Sequence, residues 1–81
     1  LMNRDEIIST TKRFLSEEFE IDENLILAEN NLHTTLDLDS LDYVDLVVVI
    51  EENFGFKPTS DDFKSIQTFE EFYTLIEAKI A

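Results

Sequence analysis

The side chains able to do chemistry are few, and their spacing excludes more than it allows. There is one His, His33, and there is no Cys. No Gly-rich phosphate loop and no Ser–His pairing motif occurs, so nucleophile-plus-base schemes have little to stand on and a non-catalytic role is expected. His33 reads as a loop or boundary residue ahead of a general base. The acids Asp37, Asp39, Asp42 and Asp45 invite a calcium-loop reading, which the pattern defeats. Counted from Asp37, the fifth position is Leu41, the sixth is Asp42 where Gly is required, and the twelfth is Val48 where Glu is required. That leaves weak, unspecific attraction of divalent ions and no dedicated metal site. Ser40, inside this acidic run, is the remaining candidate. A Ser at a helix start is ordinarily part of the cap. Here Asp39 precedes it and can supply the capping carboxylate, which would leave the Ser40 hydroxyl free to face outward. A helix N-terminus also presents unpaired N–H groups and the positive end of the dipole, which suit a phosphate.

Positioning that hydroxyl requires a helix, and the periodicity supplies several. Asn3 with Glu6 has the form of a capping box, and Ile7, Ile8, Thr11, Phe14 and Leu15 share one face, predicting helix I over about residues 4–18. A loop of about residues 19–38 follows, with scattered apolar residues expected to pin it to the core. Asp39-Ser40 opens helix II, expected over about residues 40–54, and Gly55 stops it. The β-branched run Leu46–Ile50 would on propensity alone suit a strand; the cap and the acids of the first turn favour the helix. Lys57-Pro58-Thr59-Ser60 is a turn, leading to a short helix at about residues 61–65. Thr68 with Glu71 caps the last helix, about residues 69–80, whose stripe is Phe69, Phe72, Tyr73, Ile76 and Ile80. The expectation is one all-α domain over residues 1–81, a small four-helix bundle of three longer helices and one short, with a long loop between helices I and II.

Helix II carries two apolar stripes. Tyr43, Leu46, Val47, Ile50 and Phe54 form an ordinary core face, while Leu41, Val44 and Val48 lie on the far side, flanked by Asp45, Glu51 and Glu52. Four small helices cannot bury both. Either the long loop folds over the second stripe, or that stripe is an acid-rimmed docking surface.

With 81 residues, six Lys+Arg and nineteen Asp+Glu, the net charge is −13. The length allows one small domain, and 43% apolar residues are too many for a disordered chain. Nucleic acid and anionic membranes are excluded as expected partners, and basic protein surfaces are favoured. No apolar run reaches a membrane span and no leader pattern is present. A cytoplasmic setting and a monomer are the expectation. Leu1 ahead of Met2 reads as a remnant, with Met2 the expected native start.

At the second helix the residues become familiar. Leu36-Asp37-Leu38-Asp39-Ser40-Leu41-Asp42, continued by Tyr43 to Gly55, closely resembles the acyl carrier proteins, and the resemblance spans essentially the whole chain. It implies that Ser40 is the attachment site for 4′-phosphopantetheine, delivered from coenzyme A by a phosphopantetheinyl transferase, with Asp39 the acid of the motif. It implies further that the arm's thiol holds acyl intermediates as thioesters. Leu41, Val44, Asp45, Val48, Glu51 and Glu52 would then meet fatty-acid or polyketide-type synthases and transferases with basic docking patches. Alternatives are a peptidyl or aminoacyl carrier, which usually has Gly-Gly-x-Ser at the motif, and an unmodified acidic helical adaptor. The chain departs from the family pattern at Asp37, where Gly is common, and at Lys64, where an acid is usual. Phe63 and Phe72 add aromatic bulk where smaller residues are common near the acyl pocket; they either fill the core or mark a specialised cargo.

Between Phe14 and Phe56 there are twelve carboxylates and no Lys or Arg. Their mutual repulsion is screened by salt. Thermal melts in rising NaCl, and separately in millimolar MgCl2, are expected to show a rising Tm; a flat response would mean the fold already relieves the repulsion.

Overall fold

The computed structural model describes residues 2–81; Leu1 and the reading of it as a remnant lie outside them. The elements are α1 (Arg4–Phe19), a 3-10 turn (Glu23–Leu25), α2 (Leu32–Leu36), α3 (Ser40–Phe54), α4 (Ser60–Ser65) and α5 (Phe69–Ile80). No strand occurs among the described residues, and three of the helices are long. The fold is all-α.

Local sequence chemistry sets most of the boundaries. Capping boxes start α1 (Asn3/Glu6), α3 (Asp39/Asp42), α4 (Thr59/Asp62) and α5 (Thr68/Glu71). Each returns two of the N–H groups that a helix start leaves unpaired. The Thr59 backbone N–H holds the Asp62 carboxyl below its ordinary range, and the Thr68 and Gln67 N–H groups do the same for Glu71. Gly55 closes α3 at φ 79°, the left-handed conformation that lets its N–H reach the Glu51 carbonyl.

The expected long loop at residues 19–38 is more ordered than its composition suggested. It holds the 3-10 turn and a fifth helix, α2, started by the Asn31 side chain on Thr34 N–H. Tertiary bonds stitch it down: Leu32 N–H donates to the Gln67 carbonyl at 2.7 Å, and Phe69 and Glu70 N–H donate to the carbonyls of Asn30 and Ala28. A helix of five residues has no intrinsic stability in water, so burial of Leu32 and Leu36 must hold it.

Ile7, Phe14 and Leu15 of α1 meet Phe69, Phe72, Tyr73 and Ile76 of α5 in the core, which Leu46, Val49, Ile50 and Phe54 of α3 and Ile26, Leu32, Leu36, Phe63 and Ile66 complete. Val49 belongs to this set although the sequence stripe omitted it, whereas Tyr43 and Val47 are only half-buried. Phe72 is 2% exposed and packs edge-on to Tyr73 in this core. Arg4 reinforces the α1–α5 seam by pairing with Glu70 and Glu77 while its guanidinium lies 5.8 Å from the Tyr73 ring centre.

Two buried hydroxyls, Thr11 Oγ1 and Tyr73 Oη, have no hydrogen-bond partner among the described residues. An unpaired buried hydroxyl costs about 1–3 kcal/mol, so its removal without loss of volume relieves the fold. Burial also pushes the Tyr73 hydroxyl up to about 12. The unfolded chain releases that proton near pH 10 while the folded chain keeps it, so stability declines from pH 10 to pH 12. Urea unfolding should show Tyr73→Phe stabilised by about 1 kcal/mol at neutral pH, with a shallower alkaline decline than the parent.

Candidate functional site

The site is built at the first turn of α3. Asp39 is the N-cap: its Oδ1 accepts the Asp42 N–H at 2.8 Å, while the Asp42 carboxylate accepts the Asp39 N–H at 3.3 Å. The capping work is therefore done by the two acids that flank Ser40 and Leu41. Ser40 is exposed, and no hydrogen bond engages its hydroxyl among the described residues. The side chain stands at the first helical position, over the positive end of a 15-residue helix. A phosphate esterified to it would lie beside the Ser40 and Leu41 N–H groups, which have no partner among the described residues. An exposed hydroxyl at the first position of a helix fits a phosphate-linked prosthetic group on Ser40.

Asp37 ends α2 with φ 48°, and its N–H donates to the His33 carbonyl at 2.9 Å. This left-handed position explains the Gly common there in the resembling family: the turn from α2 to α3 needs positive φ, which side chains other than Asn and Asp resist. Glu20 closes α1 in the same conformation, at φ 57°. Near these two turns Glu17, Glu18, Glu20, Asp37 and Asp42 surround one hollow of about 370 Å³. Arg13 pairs with Glu17 at 3.6 Å. No group of acids is arranged to hold a metal ion among the described residues.

One side of α3 is left uncovered. Leu41, Val44 and Val48 are 75%, 60% and 47% exposed, and Asp45, Glu51 and Glu52 beside them are exposed as well. The segment at residues 19–38 does not fold over them.

The adjacent face of α3 borders an open-mouthed cavity of about 480 Å³ between α2, α3 and α4, lined by His33, Tyr43, Val44, Val47, Ser60, Phe63 and Lys64. Of the two aromatic departures noted in the sequence, Phe63 is at this cavity and Phe72 is not. Sequence reasoning missed Ser60 and the part played by His33. The imidazole joins three segments: Nε2 is 3.1 Å from the Ile66 carbonyl and Nδ1 is 2.7 Å from the Tyr43 hydroxyl. A carbonyl oxygen can only accept, so Nε2 carries a proton toward Ile66, and Nδ1 is hydrogen-bonded to the Tyr43 hydroxyl. Burial raises the Tyr43 hydroxyl above its ordinary value. His33 is thus a buttress on α2; the Asn31 cap was the signal that could have placed it on a helix.

Comparison with known proteins bears on the same residues. The family described as phosphopantetheine attachment site matches residues 10–76, which defines the class. The chain is 38% identical over 80 residues to the acyl carrier protein of Thermotoga maritima, covering 99% of each chain. It is 35% identical over 77 residues to that of Lactobacillus johnsonii, covering 95% of this chain and 96% of the relative. The corresponding protein of Coprothermobacter proteolyticus is 33% identical over 79 residues, covering 98% and 96%. The chain belongs to the acyl carrier protein family, with covalently attached 4′-phosphopantetheine as its prosthetic group. Membership gives it an acyl carrier role and makes a phosphopantetheinyl transferase and biosynthetic enzymes its classes of partner. No helix among the described residues is long and apolar enough to cross a membrane.

Asp37→Gly keeps the positive φ and removes the smaller cost that even an Asp side chain bears there. Chemical denaturation is expected to show a gain of about 1 kcal/mol; a loss would mean the Asp37 carboxylate holds the turn by a bond of its own.

Proposed function

We propose that Ser40 is the residue esterified by 4′-phosphopantetheine and that Asp39 holds the helix start which presents it. The observation that carries this reading is the division of labour at α3: Asp39 and Asp42 satisfy the cap, and the exposed Ser40 hydroxyl between them has no partner among the described residues. When bound, the group supplies a terminal thiol on which an acyl group rides as a thioester. The chain's own contribution is to hold the attachment point clear of the core and to carry the arm between enzymes. Tethering raises the local concentration of the cargo wherever the carrier docks.

Docking falls to Leu41, Val44 and Val48, with Asp45, Glu51 and Glu52 as the charged rim. Exposed apolar residues framed by acids suit brief contact with a basic patch, in which charge speeds the encounter and a small apolar area limits residence. The partners on this reading are the transferase that loads Ser40 and synthases and transferases of fatty-acid or polyketide type. The chain itself performs no catalysis, acts as a single-domain monomer and works in the cytoplasm.

Incubation with coenzyme A, Mg2+ and a broad-specificity phosphopantetheinyl transferase, read by intact mass, is expected to add one phosphopantetheine to the protein and none to Ser40→Ala. An adduct on Ser40→Ala would move the attachment elsewhere. Val48→Asp, which adds a like charge to the rim without touching the core, is expected to slow loading through a higher KM.

A further inference from the structure

The cavity between α2, α3 and α4 has walls of an unusual kind for so small a protein. Three of its seven lining residues carry rings, and these form a connected series. Tyr43 and Phe63 meet edge to face, with centroids 5.6 Å apart and planes at 76°, and His33 and Tyr43 lie 6.1 Å apart with planes at 33°. The series is anchored at its polar end. The Tyr43 hydroxyl is hydrogen-bonded to His33 Nδ1, whose ring is tied through Nε2 to the Ile66 carbonyl, and Phe63 is 9% exposed. Tyr43 cannot swing aside to widen the space without breaking this relay.

The cavity also lies along the side of α3 that bears the attachment point. Tyr43, Val44 and Val47 stand at i+3, i+4 and i+7 from Ser40, so a group leaving the Ser40 oxygen has the cavity wall running down the same helical face.

We propose that this cavity prefers acyl groups presenting a planar π surface, aryl or conjugated, over saturated chains of equal carbon number. Tyr43 and Phe63 are its specificity-determining rings and His33 is the residue that positions Tyr43. The inference rests on the reading of Ser40 as the attachment point. Apolar burial favours both kinds of cargo and does not separate them. Three other terms do. Ring–ring contact adds attraction beyond buried area, which an alkyl chain cannot collect. A fixed wall immobilises what enters it, and a saturated chain has many rotors to freeze where a conjugated group has few. Lys64 brings a cation to the same lining, and a π face attracts a cation where a methylene does not.

The test compares two nine-carbon cargoes, 3-phenylpropenoyl and nonanoyl, loaded from their coenzyme A thioesters with the same transferase and confirmed by intact mass. Thioester cleavage by hydroxylamine is timed on each loaded protein and divided into the rate for the matching free acyl-pantetheine, which removes the difference in intrinsic reactivity. The protection factor for 3-phenylpropenoyl is expected to exceed that for nonanoyl about five-fold, and loading it should move the Val44 and Val47 methyl resonances upfield by ring current. Phe63→Leu should bring the two factors together. Tyr43→Phe keeps the ring but frees it from His33, and should lose part of the preference. Equal factors in the parent protein, a larger factor for nonanoyl, or a preference unchanged in Phe63→Leu would overturn the proposal. Failure of both cargoes to load would overturn the Ser40 reading instead, so the two failures are told apart at the first mass spectrum.

Discussion

The N-terminus of α3 rests on one exchange of hydrogen bonds, between the carboxylate of Asp39 and the N–H of Asp42 and back again. A helix start has orphan donors that some side chain must satisfy. Were Ser40 the cap, its oxygen would be turned inward and bonded. Because the residue before it takes the task, the hydroxyl falls one position into the helix, exposed and with no partner among the described residues. The turn feeding this start is constrained as well: Asp37 adopts the left-handed conformation so that α2 ends three residues before α3 begins. Fold and function meet at these few residues. Loss of the cap would fray the first turn and, with it, the defined position of the Ser40 hydroxyl.

The rest of α3 sorts its sides by what each must do. Leu46, Val49, Ile50 and Phe54 enter the core; Leu41 and Val48 stay in water; Tyr43 and Val47 face the cavity between the two, and the exposed Val44 stands at its edge. A 15-residue helix in an 81-residue chain that serves three surroundings at once leaves little room for indifferent positions. The acids fill the remainder. They keep an exposed apolar strip in solution and bias encounters toward basic surfaces. Elsewhere Glu17, Glu18, Glu20, Asp37 and Asp42 crowd about one hollow, so the same excess of charge sets like groups against one another within the fold.

Much of this was legible from the residues, for reasons that can be named. Helix α3 announced itself by its cap, its 3.6-residue stripe and the Gly55 stop, and the second stripe followed because a small bundle has no second layer to cover it. The segment at residues 19–38 was not legible. Five residues of α2 are too few to show a period, and what holds them is non-local: Leu32 bonded to Gln67, and the stretch at Ala28–Asn30 bonded to the start of α5. His33 was undervalued for the same reason, since its two partners lie ten and thirty-three residues away. Phe63 and Phe72 looked alike in the sequence. Only the packing separates them, one at the cavity and one against Tyr73 in the core.

Asp39 holds the start of α3 while the Ser40 hydroxyl stands free of it, and a paired stability measurement probes this division. Urea unfolding of Asp39→Ala and Ser40→Ala, run side by side on unmodified protein, should show about 1 kcal/mol lost from the first and no measurable loss from the second. Destabilisation of Ser40→Ala equal to that of Asp39→Ala would place the Ser40 oxygen in the cap and contradict the account.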